Sequence, residues 1–267
     1  MSDVDLESYF QRIGYSGPRA PTLATLNALV SRHIRSIPFE NLDVLLGRPI
    51  RLDTASLQRK LILERRGGYC FEQNGLLLAV LEALGYDAAP ISARARLQRT
   101  RDFTPPRTHL FVRVEIEGQS WLADVGVGAL SPTAALRLEE DIEQPTLHET
   151  RRIVREGPLL FHQARLGQEW ADICEFTLEQ MPPVDREVAN WFTSTHPESH
   201  FRNRLLVARA GDNGTRVTLL NNELTVRDAR TGESAVRLIE SPQALLAVLE
   251  AEFGLTFPEG TRFPLSG

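Results

Sequence analysis

The sequence predicts an α+β protein. Three observations carry that prediction. Apolar residues recur at helical spacing as far as about residue 85, short alternating stretches follow Gly85, and a capped apolar helix lies near the end. The 267 residues are 42% apolar and 24% charged, an ordinary globular composition for one large domain or two to three small ones sharing a core.

In the first stretch, Asp3 or Asp5 can cap a helix "LESYFQRIG" that ends at Gly14. "SGPRAP" reads as a turn. Thr22 then opens a second helix on which Leu23, Leu26, Leu29, Val30 and Ile34 share a face, and Pro38 stops it. "RLDTASLQRKLILERRG" repeats the pattern, with Asp53 or Thr54 as cap, Leu57, Leu61 and Ile62 inward, and Gly67 as terminator. The run that begins at Cys70 is a further helix.

After Gly85, "AAPISARARL", "THLFVRVEI", "SWLADVGVG" and "HETRRIVRE" alternate as half-buried strands do. "GTRVTLLNNELTVRDART" predicts a hairpin around Asn221 and Asn222. In "SPQALLAVLEAEFG", Ser241 caps, Pro242 takes the first turn and Gly254 ends the helix. Soft boundaries fall near residues 85 and 190.

Several function classes drop out early. No window approaches the roughly 18 apolar residues of a membrane span, and "MSDVDLESYF" lacks the apolar run of a secretory signal. Two cysteines make no disulfide framework, so a reducing cytoplasm is expected. The net charge is −5, and no basic stripe carries interleaved aromatics, so no nucleic-acid partner is expected. Lys60 is the only lysine and sits in a plain helical context, which argues against Schiff-base chemistry. No CxxC or HExxH occurs, so no metal site is expected.

Cys70 stands where "RRGGYC" turns into an apolar run. A helix N-terminus favours a thiolate, and only the thiolate is nucleophilic. Gly67 and Gly68 permit a sharp turn into that helix. Free amides there can also hold an oxyanion. Position alone leaves a small core cysteine equally open. Cys174, amid the alternating "ADICEFTLEQ", reads as core.

A cysteine nucleophile needs a base and the base an orienter. Of six histidines, His33 reads as a surface or capping residue, and His148 and His162 lie beside charged or loop residues. Pro197 separates His196 from His200 and spoils metal-ligand spacing. His109 starts a strand. If Glu117 and Gly118 form the turn, Ile116 pairs with Gln119 and Asp124 falls opposite Phe111. His109 and Asp124 then share a face as diagonal neighbours, roughly 7–8 Å apart at Cα. A one-residue slip would separate them. Alone, His109 reads better as a strand-end residue meeting solvent, and Asp124 reads as a turn former before "GVG".

These residues resemble the arylamine N-acetyltransferases. The resemblance is carried by "RRGGYCFEQNGLL", "THLFVRV", "WLADVGVG", "IPFENLDVLLGRPI" and "NWFTSTHPESHFRNRL", in the family's order, from about residue 7 to at least residue 225. It implies a Cys-His-Asp triad like that of the papain-type proteases, formed by Cys70, His109 and Asp124. It implies a helical bundle over 1–85 carrying the nucleophile, a β-barrel over 86–190 carrying His109 and Asp124, and an α/β lid over 191–267. It implies ping-pong transfer of an acetyl group from acetyl-CoA, through a thioester on Cys70, to arylamines, arylhydrazines or N-hydroxyarylamines, with no metal. Acceptor-pocket positions of the family fall on Phe39, Thr108, Val127, Gly128 and Phe201. Many relatives carry phenylalanine where this chain has Val127, which implies a wider pocket or weaker stacking. Ala129, often glycine elsewhere, implies a tighter loop near CoA. The loop 99–109 and the region of Phe192 are the expected approach of CoA.

Two other readings share the same residues: a thiol hydrolase of amidase or peptidase type, and an inactive CoA-binding module.

Overall fold

The computed structural model describes residues 4–263 apart from residue 98. Asp5 caps α1 (Leu6–Ile13), its carboxylate accepting the Ser8 amide at 3.1 Å, and Gly14 ends it at φ 65°. Asp3, the alternative cap, lies outside the described residues. Thr22 caps α2 (Leu23–Ser36), which buries Leu26, Leu29, Val30 and Ile34 as their spacing requires. Beyond Pro38 the chain forms two short elements that periodicity does not reveal, β1 (Phe39–Glu40) and α3 (Leu42–Leu45).

The next helix departs from expectation. Asp53 caps α4 (Thr54–Leu57), which widens into a π-helical turn, Gln58–Leu63. It stops short of Gly67, and Arg65 takes the left-handed backbone instead, at φ 52°. Apolar spacing does not distinguish an i−4 from an i−5 ladder. Nor is Lys60 in a plain context. Its ammonium lies 2.8 Å from Asp43 and 2.6 Å from Glu72 in a buried ionic cluster that also holds Arg66 and Glu40. Gly67 has a steric role: a Cβ there would stand 2.0 Å from the Pro38 carbonyl oxygen.

α5 (Cys70–Ala83) has no polar stripe, because it is buried or half-buried all round as far as Leu81. Leu76, Leu77, Val80 and Leu81 pack with α1 and α2 on one side and with Val112 and Val114 on the other. Those two valines belong to a seven-stranded sheet built from β2 (Asp87–Ala95), β3 (His109–Ile116), β4 (Gln119–Ala123), β5 (Leu136–Arg137), β6 (Arg151–Glu156), β7 (Leu159–Leu166) and β8 (Glu169–Gln180). Its order is β5-β4-β3-β2-β8-β7-β6. Residues just past β5 bridge to β6 at Glu140–Ile153 and Gln144–Arg151, which brings the two edges together into a nearly closed barrel. Ile91, Phe111, Leu122, Ile153, Leu160 and Phe176 fill much of its interior.

α6 (Pro183–Thr195) runs through residue 190, and α7 (His200–Asn203) follows. A second sheet then forms from β9 (Leu206–Ala210), β10 (Thr215–Leu220), β11 (Glu223–Asp228) and β12 (Ser234–Leu238). β1 joins its edge by pairing with β9, which ties the start of the chain to its end. The expected hairpin is present, with Leu220 opposite Glu223 and Asn221 at φ 54°. α8 (Pro242–Phe253) is capped by Ser241 and ended by Gly254, as expected. Among the described residues no helix is long and apolar enough to cross a membrane.

His33 is not a surface residue. It is fully buried, with Nδ1 3.0 Å from the Tyr9 hydroxyl and Nε2 2.6 Å from Gln73 Oε1. Burial lowers its pKa to about 4, against the Gln73 hydrogen bond. The folded value lies below the unfolded value near 6.5, so the unfolded chain takes up the proton first. Stability from this site is therefore present above that value and lost as pH falls toward 4. Acidification from about pH 7 to about pH 5 is expected to cost roughly 2 kcal/mol here. Urea melts at the two pH values check it: the loss must be smaller by about that amount in His33→Gln, and an equal loss in both proteins contradicts it.

Candidate active site

Cys70 is the first residue of α5 and is almost wholly buried. The helix start is fixed from below. The Tyr69 amide donates to Glu72 Oε2 at 3.1 Å, and Glu72 in turn receives Lys60. Burial raises the Glu72 carboxyl to about 7 against the pull of Lys60. The Cys70 thiol donates to the Thr108 carbonyl oxygen at 3.4 Å, and its sulfur is near enough to His109 to help raise the pKa of that imidazole.

The β3–β4 register is the one a Glu117-Gly118 turn requires. Ile116 pairs with Gln119, and the ladder runs to Val112 opposite Ala123. One more step sets Phe111 against Asp124. His109 and Asp124 thus meet diagonally, with Nε2 2.8 Å from Oδ2. Asp124 is fully buried, and its other oxygen accepts Asn74 Nδ2 and the Gly126 amide, each at 2.9 Å. Burial works against its charge, but His109, Asn74 and Gly126 together hold its pKa below the usual carboxylate value. Burial likewise opposes the imidazolium, and Asp124, then Cys70, outweigh it and raise His109 to about 10. The arrangement sets a thiol beside an imidazole that is hydrogen-bonded to a buried carboxylate, a row able to activate a sulfur and shuttle its proton.

Asn74 is a positioning residue that spacing does not identify. It lies one turn after Cys70 and, besides Asp124, binds the Leu110 carbonyl at 2.6 Å and the Val125 amide at 2.9 Å. A signal was available: Glu72, Gln73 and Asn74 are consecutive polar residues in a helix that exposes no face there, and all three are buried. Gly126 also matters by contact. A Cβ would stand 2.7 Å from the Cys70 Cα, so the "GVG" loop rests on the head of α5.

Cys174 is core, as expected, but it is placed beside the row. Its sulfur, a His109 nitrogen and an Asp124 oxygen lie within 4.8 Å of one another. Within this group the His109 and Asp124 atoms share a short hydrogen bond. Burial pushes the Cys174 thiol well up. His162 and His148 are buried, while His196 stacks on Phe192 at 4.5 Å.

Two clefts are lined in part by residues that pack in one cluster with Cys70. One of about 450 Å³ is lined by Val127, Ala129, Ile173 and Phe201, with Arg99 and Arg204 among its polar residues. The other, of about 340 Å³, is lined by Thr108, Arg107, Met181, Ala189 and Phe192. Phe39 packs on Phe201 with ring centroids 6.0 Å apart, and Gly128, at φ 84°, would set a Cβ 3.5 Å from the Phe39 ring. Of the five expected pocket residues, Thr108 lines the smaller cleft and Val127 and Phe201 the larger, while Phe39 and Gly128 line neither.

Removing the Asn74 amide should expose how much the row relies on it. Asn74→Ala is expected to cost about 2–3 kcal/mol, because it leaves buried donors and acceptors unpaired, and to slow Cys70 alkylation roughly tenfold or more through misplacement of Asp124. Wild-type alkylation in the folded variant contradicts this role.

The N-acetyltransferase family profile matches residues 22–261. The chain is 40% identical over 251 residues to the arylamine N-acetyltransferase of Escherichia coli (strain K12), covering 94% of this chain and 88% of that protein. It is 41% identical over 256 residues to the arylamine N-acetyltransferase of Mycobacterium bovis, covering 94% and 89%. The solved arylamine N-acetyltransferase of M. tuberculosis superposes with a TM-score of 0.90 at 41% identity, over 94% of this chain and 93% of that one. The Mycobacterium marinum arylamine N-acetyltransferase in complex with CoA superposes equally well, with a TM-score of 0.90 at 40% identity over 94% and 92%. A match of this extent in both sequence and structure means that the chain belongs to the arylamine N-acetyltransferase family.

Proposed function

We propose that this protein transfers the acetyl group of acetyl-CoA to the nitrogen of an arylamine, arylhydrazine or N-hydroxyarylamine through a thioester on Cys70. The observation that carries the reading is the buried row of Cys70, His109 and Asp124 at the head of α5. In the first half-reaction the Cys70 thiolate attacks the acetyl carbonyl, and the amides of the first turn of α5 face the developing oxyanion. His109 gives its proton to the departing CoA sulfur. In the second, the acceptor nitrogen attacks the thioester, His109 takes the proton from that nitrogen, and Cys70 leaves as thiolate. Thioester exchange is nearly balanced in energy, which suits a thiol acting on an acyl-CoA. Arylamines are weak bases and largely neutral near pH 7, so the lone pair is free.

The three stretches 1–85, 86–190 and 191–267 divide this labour into nucleophile, base with orienter, and cover. Phe39 and Phe201 form aromatic walls for a flat acceptor. Arg99 of the loop 99–109 and Arg204 supply positive charge at the larger cleft, which suits the phosphates of CoA. Two buried free cysteines suit a reducing cytoplasm.

Incubation with acetyl-CoA should add the mass of one acetyl group at Cys70, and Cys70→Ala should lose at least about a thousandfold in acetyl transfer. Transfer by Cys70→Ala at the wild-type rate overturns the assignment. A thiol hydrolase would use the same row with water as acceptor, and an acetyl-CoA turnover rate indifferent to added arylamine would favour it.

Val127 lines the larger cleft where a phenylalanine would fill it. Val127→Phe is expected to raise KM several-fold for two-ring acceptors while sparing aniline-sized ones. Equal effects on both would remove Val127 from acceptor selection.

A further inference from the structure

Behind Asp124 the barrel is not wholly apolar. A row of polar side chains crosses it from the active site to the second sheet. Cys174 on β8 opposes His162 on β7, and Arg151 opens β6. Arg151 Nη1 lies 3.3 Å from His162 Nε2, and its Nη2 lies 2.8 Å from Glu149 Oε2. Glu149 also receives Arg216 at 2.6 Å and Arg227 at 2.9 Å. Arg151 is 0% exposed, and His162 and Cys174 are each 1% exposed. None of the three lines either cleft.

A guanidinium with no exposure is costly, and its placement calls for a charge reason. The active site supplies one. With Cys70 as thiolate and His109 as imidazolium, the catalytic row carries one net negative charge from Asp124. After acetylation, with His109 neutral, it again carries one. A lone buried anion needs a counter-charge. Arg151, Glu149 and Arg216 together carry one net positive charge, and Arg151 is the member of that trio directed toward the site. His162 between them stays neutral, because burial first and Arg151 second lower its pKa to about 3. Burial also works against the Arg151 charge, and Glu149 and Asp124 help sustain it.

We propose that Arg151, reaching the catalytic row past His162 and Cys174, is a positioning residue. It provides the buried counter-charge of Asp124 and sets the pH at which Cys70 becomes reactive. The inference rests on the roles proposed above for Cys70 and His109. The groups around that pair come from every neighbouring element. Glu72 with Lys60 lies on the α5 side, Asp124 after β4, Cys174 on β8, His162 on β7, and Arg151 and Glu149 behind them. On the barrel side the nearest fixed cation of this set is Arg151. A positive charge favours the deprotonated form of each neighbour, so the row becomes reactive at lower pH with Arg151 than without it.

The test is the pH profile of Cys70 alkylation by iodoacetamide in the full chain, read at the Cys70 peptide by mass. Arg151→Met should move the midpoint upward by roughly half a pH unit or more, while Arg151→Lys, which keeps the charge, should restore most of the wild-type profile. A folded Arg151→Met protein with an unshifted midpoint, or an Arg151→Lys shift as large as that of Arg151→Met, overturns the proposal. If Arg151→Met fails to fold, Glu149→Gln decides. Removing that negative charge should move the midpoint downward, and an unchanged or raised midpoint overturns the proposal. Alkylation needs no acetyl donor. A protein that shows these shifts yet transfers no acetyl group would sink the transferase reading and leave this inference standing.

Discussion

A carboxylate sealed from water must find all its partners inside the protein. Asp124 is such a group, and much of the molecule is arranged around that need. Its donors come from three places in the chain: Asn74 on α5, His109 on β3 and Gly126 in its own loop. Satisfying it brings the helix, the hairpin and the loop together at one point. The residue that orients the base also joins the helical region to the barrel.

The head of α5 is held from the opposite side by charge and by lack of space. Lys60 and Arg66 pair with Glu40, Asp43 and Glu72 beneath it. Such a buried cluster adds little net stability, because desolvation offsets most of the attraction. Its geometric effect is larger. Glu72 fixes the Tyr69 amide, and the loop carrying Gly67 is pressed against the Pro38 carbonyl. Gly126 closes on the Cys70 backbone from above. Cys70 thus stands in a position with little freedom, which suits the acetyl transfer proposed for it.

Two of the ties between the second sheet and this core bear on the site. β1 pairs with β9, so Phe39 and Phe201 face one another beside Cys70. Glu149 gathers Arg151 from the barrel with Arg216 and Arg227 from the second sheet. One attachment shapes the larger cleft and the other runs behind the active site. The later part of the chain therefore acts on the site both as a wall and through its charges.

Local order was legible in the sequence, because it depends on residues a few positions apart. Thr22, Ser241, Gly14 and Gly254 cap helices through their own neighbours. The Glu117-Gly118 turn sets the β3–β4 register, and with it the meeting of His109 and Asp124, by counting alone. Other features depend on what packs against a residue from far along the chain, and no periodicity reports that. The π turn at Lys60, the burial of His33, the grip of Asn74 and the approach of Cys174 and Arg151 to the active site all belong to this group. The sequence by itself determined the α+β order, the caps at Thr22, Ser241, Gly14 and Gly254, and the hairpin register. Only the tertiary structure decided which polar side chains lose their water, because desolvation and charge pairing are set by distance in space and not by distance along the chain.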